Sequence, residues 1–413
     1  MREAAYLLLV AEVAGRLDAL ALLEARVKRP SPAKNFRLVK ALIVISDNYI
    51  MKISPMRSIL SPPNPCLSMG IMSGTSADSV DVSVVEISES KVSLVEFISE
   101  PYPEELKQRI KKVSELSEVS ILNREIGEFF SSVARKSSKS VFCVGTHGQT
   151  VYHHKIGDSS RSTLQLGYPE CLARDLGAII VSDFRIRDIV LGGEGAPLTP
   201  YGDLRLFGND SPKLILNIGG ISNVTVLGQG EIIGFDVGPG NAPLDRLAHL
   251  LAGKDYDADG SIAASGKIDE DIFKELIADD LFIKKAPPKS TGLEAYGDSF
   301  VGRIVSQYGL SSNLLTTVTE FIAYCISEAV KHYEGNLILC GGGSQNSYLR
   351  SRISERLSSK KVELIDSYGV SWKARESMIF AILAHDMLCG LETSIPSVTG
   401  ATKGAPLGRI TIP

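Results

Sequence analysis

The chain has 413 residues, of which 44% are hydrophobic and 22% charged, and its formal net charge is -4. Because this length exceeds what one compact core usually holds, the values predict a globular enzyme of two domains. They show no basic footprint for a nucleic acid or an anionic membrane, and no apolar stretch reaches the ~20 residues of a membrane span, so the expected partners are small molecules.

The six cysteines are widely scattered, and no two of them form a Cys-x-x-Cys pair. This spacing argues against a zinc site and against a disulfide framework. Free cysteines are typical of a reducing compartment, so the pattern predicts a cytoplasmic protein.

Residues 1–66 differ in composition from the rest of the chain. Residues 1–29 are rich in Ala, Leu and Arg, whereas the remainder uses more Ser, Ile, Lys and Gly. The Pro/Ser-rich stretch Ser61–Pro65 then indicates a linker. We therefore expect residues 1–66 to be an extension outside the main fold, with translation beginning near Met51 or Met56.

From Met69 onward, short apolar runs alternate with helical patterns. Residues 72–87 combine a small-residue turn with an alternating strand, which predicts a hairpin. Helices are predicted over Ala242–Ala252 and Thr317–Glu334, each followed by a glycine. Further buried strands are predicted over Val141–Gly145, Ala178–Val181, Lys213–Gly219, Glu231–Phe235 and Asn336–Gly341. The alternation predicts an α/β fold.

Three glycine-rich turns follow predicted strands: one around Gly74, one at Gly219-Gly220 and one at Cys340–Ser344. Each alone is equally well explained as a tight turn, because glycine relieves backbone constraints there. None is followed by Gly-Lys-Ser/Thr and none contains Gly-x-Gly-x-x-Gly, which disfavours the P-loop and dehydrogenase classes. Such turns present backbone N–H groups to phosphate, so three of them predict ATP in a cleft between two domains.

Carboxylates accompany two of the glycine-rich segments. Asp78 and Asp81 flank the first turn, and Asp236 precedes Gly238–Asn241. An aspartate at a turn often bonds only to its own backbone. Magnesium carried by a nucleotide, however, needs only one or two carboxylate ligands. The association with the glycine turn favours Asp78 as a magnesium residue.

Asp183 follows the predicted strand Ala178–Val181 and precedes Arg185 and Arg187. Ligands of α/β sheets collect at the carboxyl ends of strands, and neighbouring cations keep a carboxylate ionised. Asp183 is therefore a candidate general base, with a structural salt bridge as the alternative. His147 also follows a predicted strand, where it either orients a substrate hydroxyl or caps the loop.

Ten short motifs occur in the order in which the anhydro-N-acetylmuramic acid kinases carry them, and the chain resembles that family over residues 69–410. The motifs are Met72–Asp78, Thr146–Thr150, Thr163–Gly167, Asp183–Arg185, Gly195–Leu198, Asn217–Gly220, Gly238–Asn241, Pro288–Gly292, Cys340–Gly343 and Val398–Ala401. The resemblance implies two ribonuclease-H-like domains of the actin and hexokinase type around an ATP cleft. It divides them into residues 67–200 and 201–413, leaves open a return of the C-terminal segment to the first domain, and suggests a homodimer.

The resemblance also implies a double reaction on a 1,6-anhydro sugar. Water opens the anhydro ring at the anomeric carbon while O6 takes the γ-phosphate of ATP, which gives N-acetylmuramic acid 6-phosphate in cell-wall recycling. Asp183 would activate the water, and Asp78 would lie near magnesium. The sugar would be bound by His147, Arg185 and Glu376. The ATP phosphates would be bound by Gly74, Thr75, Ser76, Ala77, Asp78, Ser79, Val80, Asp81, Gly219, Gly220, Gly341 and Gly342.

Five positions depart from the family pattern: Ser79, Glu194, Val237, Leu293 and Ser377 stand where glycine, glutamine, threonine, arginine and alanine are usual. The nucleotide motifs survive these changes, so the open question is the sugar. One alternative is a kinase for another anhydro or plain sugar. A second, of another class, is a non-catalytic protein that changes conformation with, or senses, a nucleotide. Asp183 argues against the second, because such a protein needs no sugar-side base.

Overall fold

The computed structural model describes residues 60–156, 160–287 and 289–413. The predicted extension lies, as far as residue 59, outside the described residues. From Pro62 to Pro413 the chain clusters into one unit. No helix in this described part is long and apolar enough to cross a membrane.

Two sheets organise the described chain. Their strands are β1 (Cys66–Ser73), β2 (Ser79–Ile87), β3 (Val92–Pro101), β4 (Cys143–Ile156), β5 (Ser160–Leu166), β6 (Ile179–Ser182), β7 (Lys213–Ile218), β8 (Ile221–Leu227), β9 (Ile233–Pro239), β10 (Asn336–Cys340), β11 (Val362–Leu364) and β12 (Arg409–Thr411). The first sheet has the order β12-β6-β4-β1-β2-β3 with β5 paired to β4, and the second has the order β11-β10-β7-β8-β9.

The helices of the described chain connect and cover these strands. They are α1 (Glu104–Lys112), α2 (Leu116–Ala134), α3 (Pro169–Leu176), α4 (Ile186–Val190), α5 (Thr199–Phe207), α6 (Asn241–Ala252), α7 (Ser261–Ser265), α8 (Glu270–Asp279), α9 (Leu293–Tyr296), α10 (Asp298–Tyr308), α11 (Ser312–Val330), α12 (Ser347–Arg356), α13 (Arg375–Leu388) and α14 (Pro396–Thr399).

Both sheets follow the same plan. In the first, β1, β2 and β3 form an antiparallel meander, and β4 and β6 add in parallel on the β1 side. In the second, β7, β8 and β9 form the meander, and β10 and β11 add in parallel on the β7 side. This repeated strand order is the ribonuclease-H-like arrangement, so the predicted fold class is confirmed.

Each sheet buries one face against helices. On the first sheet, Ile71 and Val82 share a core with Phe130 of α2. On the second, Leu216 shares a core with Phe321 of α11. Fully burying a side chain of this size stabilises a fold by about 1.5–3 kcal/mol, so these cores hold the strand ends that carry the site in fixed positions.

The C-terminal part of the chain returns to the first sheet. Helix α13 packs across β1 and β4, where a Cβ added at Gly70 or Gly145 would overlap the backbone of α13 itself. Strand β12 then pairs antiparallel with β6, with Arg409 opposite Ser182. The first sheet therefore holds both α13, which packs on it, and β6, which is one of its strands.

Several predicted boundaries differ from the structure. Strand β4 runs to Ile156 instead of ending at residue 145, because β5 pairs antiparallel with its second half. Helix α11 begins five residues before the predicted start, because the Ser311 hydroxyl accepts a hydrogen bond from the Leu314 N–H and caps it. Asp236 lies inside β9 and not at a strand end.

Candidate active site

A cavity of about 410 Å³ opens between the turns of the two sheets. Its first wall comes from the start of β2, its second from the glycine turns after β7 and β10, and its floor from the start of α13. Among the predicted nucleotide residues it brings together Ser79, Asp81, Gly219, Gly341 and Gly342, and it adds Glu376. Residues from two distant halves of the sequence therefore meet in one cleft.

The β1–β2 turn is held by a small hydrogen-bond network. The Ala77 N–H donates to the Gly74 carbonyl at 3.1 Å, which closes the turn. The Gln149 amide donates to the same carbonyl at 3.1 Å and accepts from the Ser73 hydroxyl at 2.6 Å. Thr75 and Ser76 remain exposed at the tip.

Two of the predicted phosphate-binding residues turn their side chains away from the cleft. Ala77 and Val80 are fully buried in the first core. Only their backbone groups remain for a ligand. The contribution predicted for this segment therefore depends on backbone N–H groups and on the hydroxyls of Thr75, Ser76 and Ser79.

The two aspartates of the first turn have different environments. Asp78 is largely exposed and forms an ion pair with Lys107 at 2.6 Å; although burial acts the other way, hydrogen bonds from Lys107 and Ser76 lower its pKa. Asp81 lines the cavity and accepts hydrogen bonds from Ser99 at 2.5 Å and Ser79 at 3.3 Å. Burial raises the pKa of Asp81. The carboxylate that faces the cavity is therefore that of Asp81, and not that of Asp78.

The described residues contain no cluster of three His, Cys, Asp or Glu side chains that could hold a metal alone. Asp81 and Glu376 are the two carboxylates of the cavity lining, and one or two carboxylates fit a magnesium ion that takes most of its ligands from phosphates and water. The donor set around Asp81 is therefore suited to a metal that arrives with a nucleotide.

The glycine turns of the second sheet are closely packed. Gly341 has a φ of 77°, and a Cβ there would lie 2.7 Å from the Ile218 carbonyl oxygen. The Asn241 N–H donates to the Gly219 carbonyl at 2.7 Å. Gly220 lies at the side, against Leu293, and is not part of the cavity wall. A side chain at Gly341 would force the two turns apart.

A second cavity of about 500 Å³ adjoins the first and shares Gly342, Trp372 and Lys373 with it. Its wall contains four aspartates, two of which are already bonded: Asp257 accepts from backbone N–H groups of α7, and Asp259 accepts from the Ser347 N–H. Asp245 is half-buried and forms no hydrogen bond or ion pair within the described residues. Burial and the nearby Asp257 raise the pKa of Asp245 to about 7.

Asp183 follows β6 and has a φ of 56°, a conformation that non-glycine residues rarely adopt. The prediction that Arg185 and Arg187 are the cations next to the Asp183 carboxylate was wrong. The Asp183 carboxylate pairs with Arg409 at 3.0 Å, whereas Arg187 donates to the Pro406 carbonyl at 2.7 Å. Side chains that follow one another around a turn point in different directions, so neighbours in sequence are not the partners in space.

The buried His147 pairs with the partly buried Arg185. Arg185 donates to His147 Nε2 from Nε at 3.1 Å and to the Gly195 carbonyl from Nη1 at 2.6 Å. His147 lies inside β4, and not in a loop after it, so the loop-capping alternative is wrong. Since Nε2 accepts from a cation, Nδ1 carries the proton and donates to the Gly148 carbonyl at 2.9 Å. Burial and the charge of Arg185 hold the pKa of His147 well below its usual value, and burial lowers that of Arg185 to about 10.

Glu376 connects the nucleotide side with this pair. It lies at the start of α13 and lines the first cavity. Burial raises its pKa, the positive charges of Arg375 and Arg185 oppose this, and Asp81 adds to it. Glu376 is therefore near enough to interact electrostatically with Asp81 on one side and with Arg185 on the other.

The sequence did not predict the ion pair that joins the start of α13 to the rest of the site. Arg375 donates to both carboxylate oxygens of Asp203, from Nε at 2.9 Å and Nη2 at 2.6 Å, and both side chains are buried. Thr225 of β8 also donates to Asp203 at 2.9 Å. Asp203 thus ties the second sheet to the helix that lies on the first. The only local signal was a charged Arg-Glu pair at the start of an apolar helix.

The neutral state of His147 predicts a pH dependence of stability. The unfolded histidine titrates near 6.5, whereas the folded one stays neutral, so below that pH only the unfolded state takes up the proton. Between about pH 7.5 and about pH 5.5 this should cost about 1.4 kcal/mol of folding free energy. Urea unfolding across this range should show the loss, and His147→Gln should reduce it. The exposed His249, changed to Gln, is the control; equal losses in both variants would contradict the assignment.

Comparisons with known proteins agree in pointing to one family. Residues 66–413 match the family model for anhydro-N-acetylmuramic acid kinase. The anhydro-N-acetylmuramic acid kinase of Caldanaerobacter subterraneus subsp. tengcongensis is 35% identical over 387 residues, which cover 84% of this chain and 97% of the relative. That of Bacillus cereus strain Q1 is 36% identical over 380 residues, 83% of this chain and 98% of the relative.

The solved structures are less similar to this chain than the sequence relatives are. The activator of the 2-hydroxyisocaproyl-CoA dehydratase from Clostridium difficile, with bound ADPNP, has a TM-score of 0.40 at 12% identity and covers 78% of this chain and 96% of that one. A ROK family glucokinase from Streptomyces griseus has a TM-score of 0.37 at 8% identity, with 78% and 99% covered. The family assignment depends on the sequence relatives and the family model: the chain belongs to the anhydro-N-acetylmuramic acid kinase family.

Proposed function

We propose that the protein is an ATP-dependent kinase that opens the 1,6-anhydro ring of anhydro-N-acetylmuramic acid and phosphorylates O6, giving N-acetylmuramic acid 6-phosphate. The observation that carries this proposal is the cavity in which Asp81, Gly219 and Gly341 meet beside Glu376. The cavity has glycine turns suited to phosphate, and its Glu376 interacts electrostatically with Arg185 of the Arg185–His147 pair, which is suited to a sugar. Membership of the family supplies the substrate.

In this reaction a water oxygen forms a bond to the anomeric carbon, and the bond from that carbon to O6 breaks. The released O6 forms a bond to the γ-phosphorus, and ADP leaves. Asp183 takes the proton from the water, in the way that an inverting glycosidase uses its base. Its position at the end of β6, two residues before Arg185, supports this role.

Neutral His147 and cationic Arg185 orient the sugar. Because His147 Nε2 already accepts from Arg185, the two side chains hold each other in a fixed orientation, and His147 does not exchange protons at neutral pH. Burial raises the pKa of Glu376, and the positive charge of Arg185 opposes this, so the two groups interact electrostatically. The predicted sugar contacts thus act by positioning, while Asp183 alone moves a proton.

On the nucleotide side, the phosphates lie in the first cavity, where Lys373 and Arg375 and the glycine turns supply positive charge and N–H donors. Magnesium, when bound, neutralises charge on the phosphates, and Asp81 would hold it. The proposed compartment is the cytoplasm, where ATP is available. The homodimer that the resemblance suggested stays a prediction.

The nucleoside belongs in the second cavity, because its aspartates would repel phosphates but accept hydrogen bonds from ribose hydroxyls. We expect Asp245→Leu to raise the KM for ATP roughly tenfold, the worth of one hydrogen bond to a charged group. The KM for 2′,3′-dideoxy-ATP should stay nearly unchanged. The variant should therefore prefer ATP over the dideoxy nucleotide less strongly than the wild type does. A variant that kept the full preference for ATP over the dideoxy nucleotide would show that Asp245 does not contact the ribose.

Leu293 bears on the alternative substrates. Its side chain is 56% exposed and lies against Gly220, beside the second glycine turn. It offers no charge to an acidic sugar, and Lys289, four residues earlier in the chain, packs on Phe282 in a different cavity. A kinase for an uncharged anhydro sugar is therefore the second candidate.

Turnover of ATP in three reactions separates the candidates: with anhydro-N-acetylmuramic acid, with an uncharged anhydrohexose, and with neither. The proposal expects ATP consumption that depends on the anhydro sugar, with the higher kcat/KM for the acidic one. Consumption that favours the uncharged sugar supports the second candidate. Consumption independent of any sugar would indicate a nucleotide-dependent conformational protein.

A further inference from the structure

A third cavity, of about 360 Å³, lies on the second sheet away from the cleft. It is formed between the loop after α8 and the second half of α11, and it shares no residue with the two cavities of the cleft. Its walls are aromatic, with Phe235, Tyr324 and Tyr333, and its rim carries Lys284, Lys285 and Lys289. We call it the basic cavity. Lys289 belongs to the motif Pro288–Gly292, but the proposed reaction does not use the cavity.

Lys289 is a half-buried cation without a carboxylate partner among the described residues. Its Nζ lies 4.6 Å from the centroid of the Phe282 ring and donates to the Phe282 and Ile283 carbonyls at 3.3 Å and 3.4 Å. Burial lowers the pKa of this ammonium. The Asp280 and Asp236 carboxylates act on this ammonium electrostatically, but neither forms a salt bridge with it, so an anion that entered the cavity could still pair with it directly.

The two other lysines add to the excess of positive charge in the basic cavity. Lys284 and Lys285 line the same cavity, and neither forms a salt bridge within the described part of the chain. The one carboxylate in the lining, that of Glu328, is taken by Lys331 at 2.6 Å. Three unpaired ammonium groups therefore converge in a protein whose formal net charge is -4.

The loop that carries the lysines is held in place before any ligand arrives. One Asp280 carboxylate oxygen accepts from the Phe282 and Ile283 N–H groups at 2.8 Å and 3.2 Å. The other accepts from the Tyr296 hydroxyl at 2.7 Å. Binding thus loses little conformational entropy in this part of the loop, which favours affinity.

We propose that the basic cavity binds a small phosphate monoester, with the phosphate on the three lysines and the organic part against the aromatic walls. Lysines act as point charges and suit a compact dianion, whereas a carboxylate is better matched by the planar fork of an arginine, which this lining lacks. The volume is that of a site for a small organic molecule. The product of the proposed reaction belongs to this ligand class.

The basic cavity is connected to the cleft by a short path of hydrogen bonds. The Asp236 N–H donates to the Lys289 carbonyl at 3.1 Å, and the Asp236 carboxylate accepts from the Ser290 hydroxyl and the Thr291 N–H at 2.9 Å. Strand β9 then leads to Asn241, whose N–H holds the Gly219 turn of the first cavity. Through this path a ligand on Lys289 would change the affinity for ATP, and ATP would then change the affinity for that ligand by the same factor.

Calorimetric titration tests the site. The enzyme is first saturated with a non-hydrolysable ATP analogue and an anhydro sugar, so that the cleft is filled, and is then titrated with glucose 6-phosphate, inorganic phosphate or glucose. We expect glucose 6-phosphate to bind, glucose not to bind, and inorganic phosphate to bind more weakly because it misses the aromatic walls. Titration with N-acetylmuramic acid 6-phosphate then shows whether the reaction product is the natural ligand.

Variants locate the site. Lys289→Met should weaken glucose 6-phosphate binding at least tenfold, and Lys274→Met, an exposed lysine of α8 outside the cavity, should not. If Lys289→Met fails to fold, the double variant Lys284→Met/Lys285→Met, on two exposed residues, should give the same loss. Absence of binding at millimolar glucose 6-phosphate, or equal binding in wild type and lysine variants, overturns the proposal. Neither result bears on sugar-dependent ATP turnover, which is measured separately.

Discussion

Asp183→Asn is expected to lower turnover by ~10²–10⁴-fold, the usual contribution of a positioned general base, while the affinity for ATP stays nearly unchanged. The amide cannot take a proton from water, yet it has the shape of the carboxylate. Asparagine also tolerates the left-handed backbone conformation at this position, where φ is 56°. Steady-state kinetics and nucleotide titration of the variant measure both quantities.

Arg409→Gln is the matched control, because it removes the ion pair of Asp183 and leaves the base itself in place. Arg409 is largely exposed, so we expect a loss of turnover of less than about tenfold, as for a surface pair. Turnover of Asp183→Asn within a few fold of wild type would show that another group activates the water. The Asp183–Arg409 pair would then be structural, as in the alternative first considered.

Arg375→Met should destabilise the fold by about 3–5 kcal/mol, because it leaves the buried Asp203 carboxylate without its bidentate partner. The double variant Arg375→Met/Asp203→Leu should recover most of this loss, since it removes the uncompensated charge as well. Urea unfolding of the single and double variants gives the coupling energy directly.

The exposed pair Arg303–Asp279 provides a comparison. Its atoms are 3.2 Å apart, but both side chains are about half exposed, so Arg303→Met should change the stability by less than about 1 kcal/mol. Similar losses for Arg375→Met and Arg303→Met would contradict the account of a buried tie between the two sheets. The double variant should also have a raised KM for ATP, because Arg375 lines the first cavity.

Much of the fold was accessible from local patterns. The alternating run after the small-residue turn at Gly74 predicted a hairpin, and β1 and β2 form it. The apolar face of the predicted helix around Phe321 is indeed buried in α11. Such features depend on period and turn chemistry within a few residues, and these can be read from one sequence.

The partners in the site were not accessible in this way. Asp183 meets Arg409 because β12 returns to pair with β6, and Asp203 meets Arg375 because α13 lies back on the first sheet. Nothing in the residues around either aspartate indicates a partner so distant in the chain. For that reason, the sequence pattern around Asp183 predicted the adjacent arginines as its partners.

The choice between Asp78 and Asp81 as the magnesium residue could not be made from the sequence either, although the two residues are close together in the chain. Both flank one turn, but Asp81 is in β2 and its side chain points to the cavity, whereas Asp78 precedes the strand and reaches Lys107 of α1. The position of α1 depends on tertiary packing. The magnesium role therefore moves to Asp81 as a proposal, and the sequence alone favoured Asp78.

Mass analysis of the product tests the central claim most directly. Purified protein is incubated with ATP, magnesium and anhydro-N-acetylmuramic acid in water enriched in ¹⁸O. The account predicts ADP in equal amount to a sugar that has gained one phosphoryl group and one water, with the ¹⁸O atom on the anomeric carbon and O6 carrying the phosphate. A phosphorylated sugar with its anhydro ring intact, or ring opening without consumption of ATP, would contradict it.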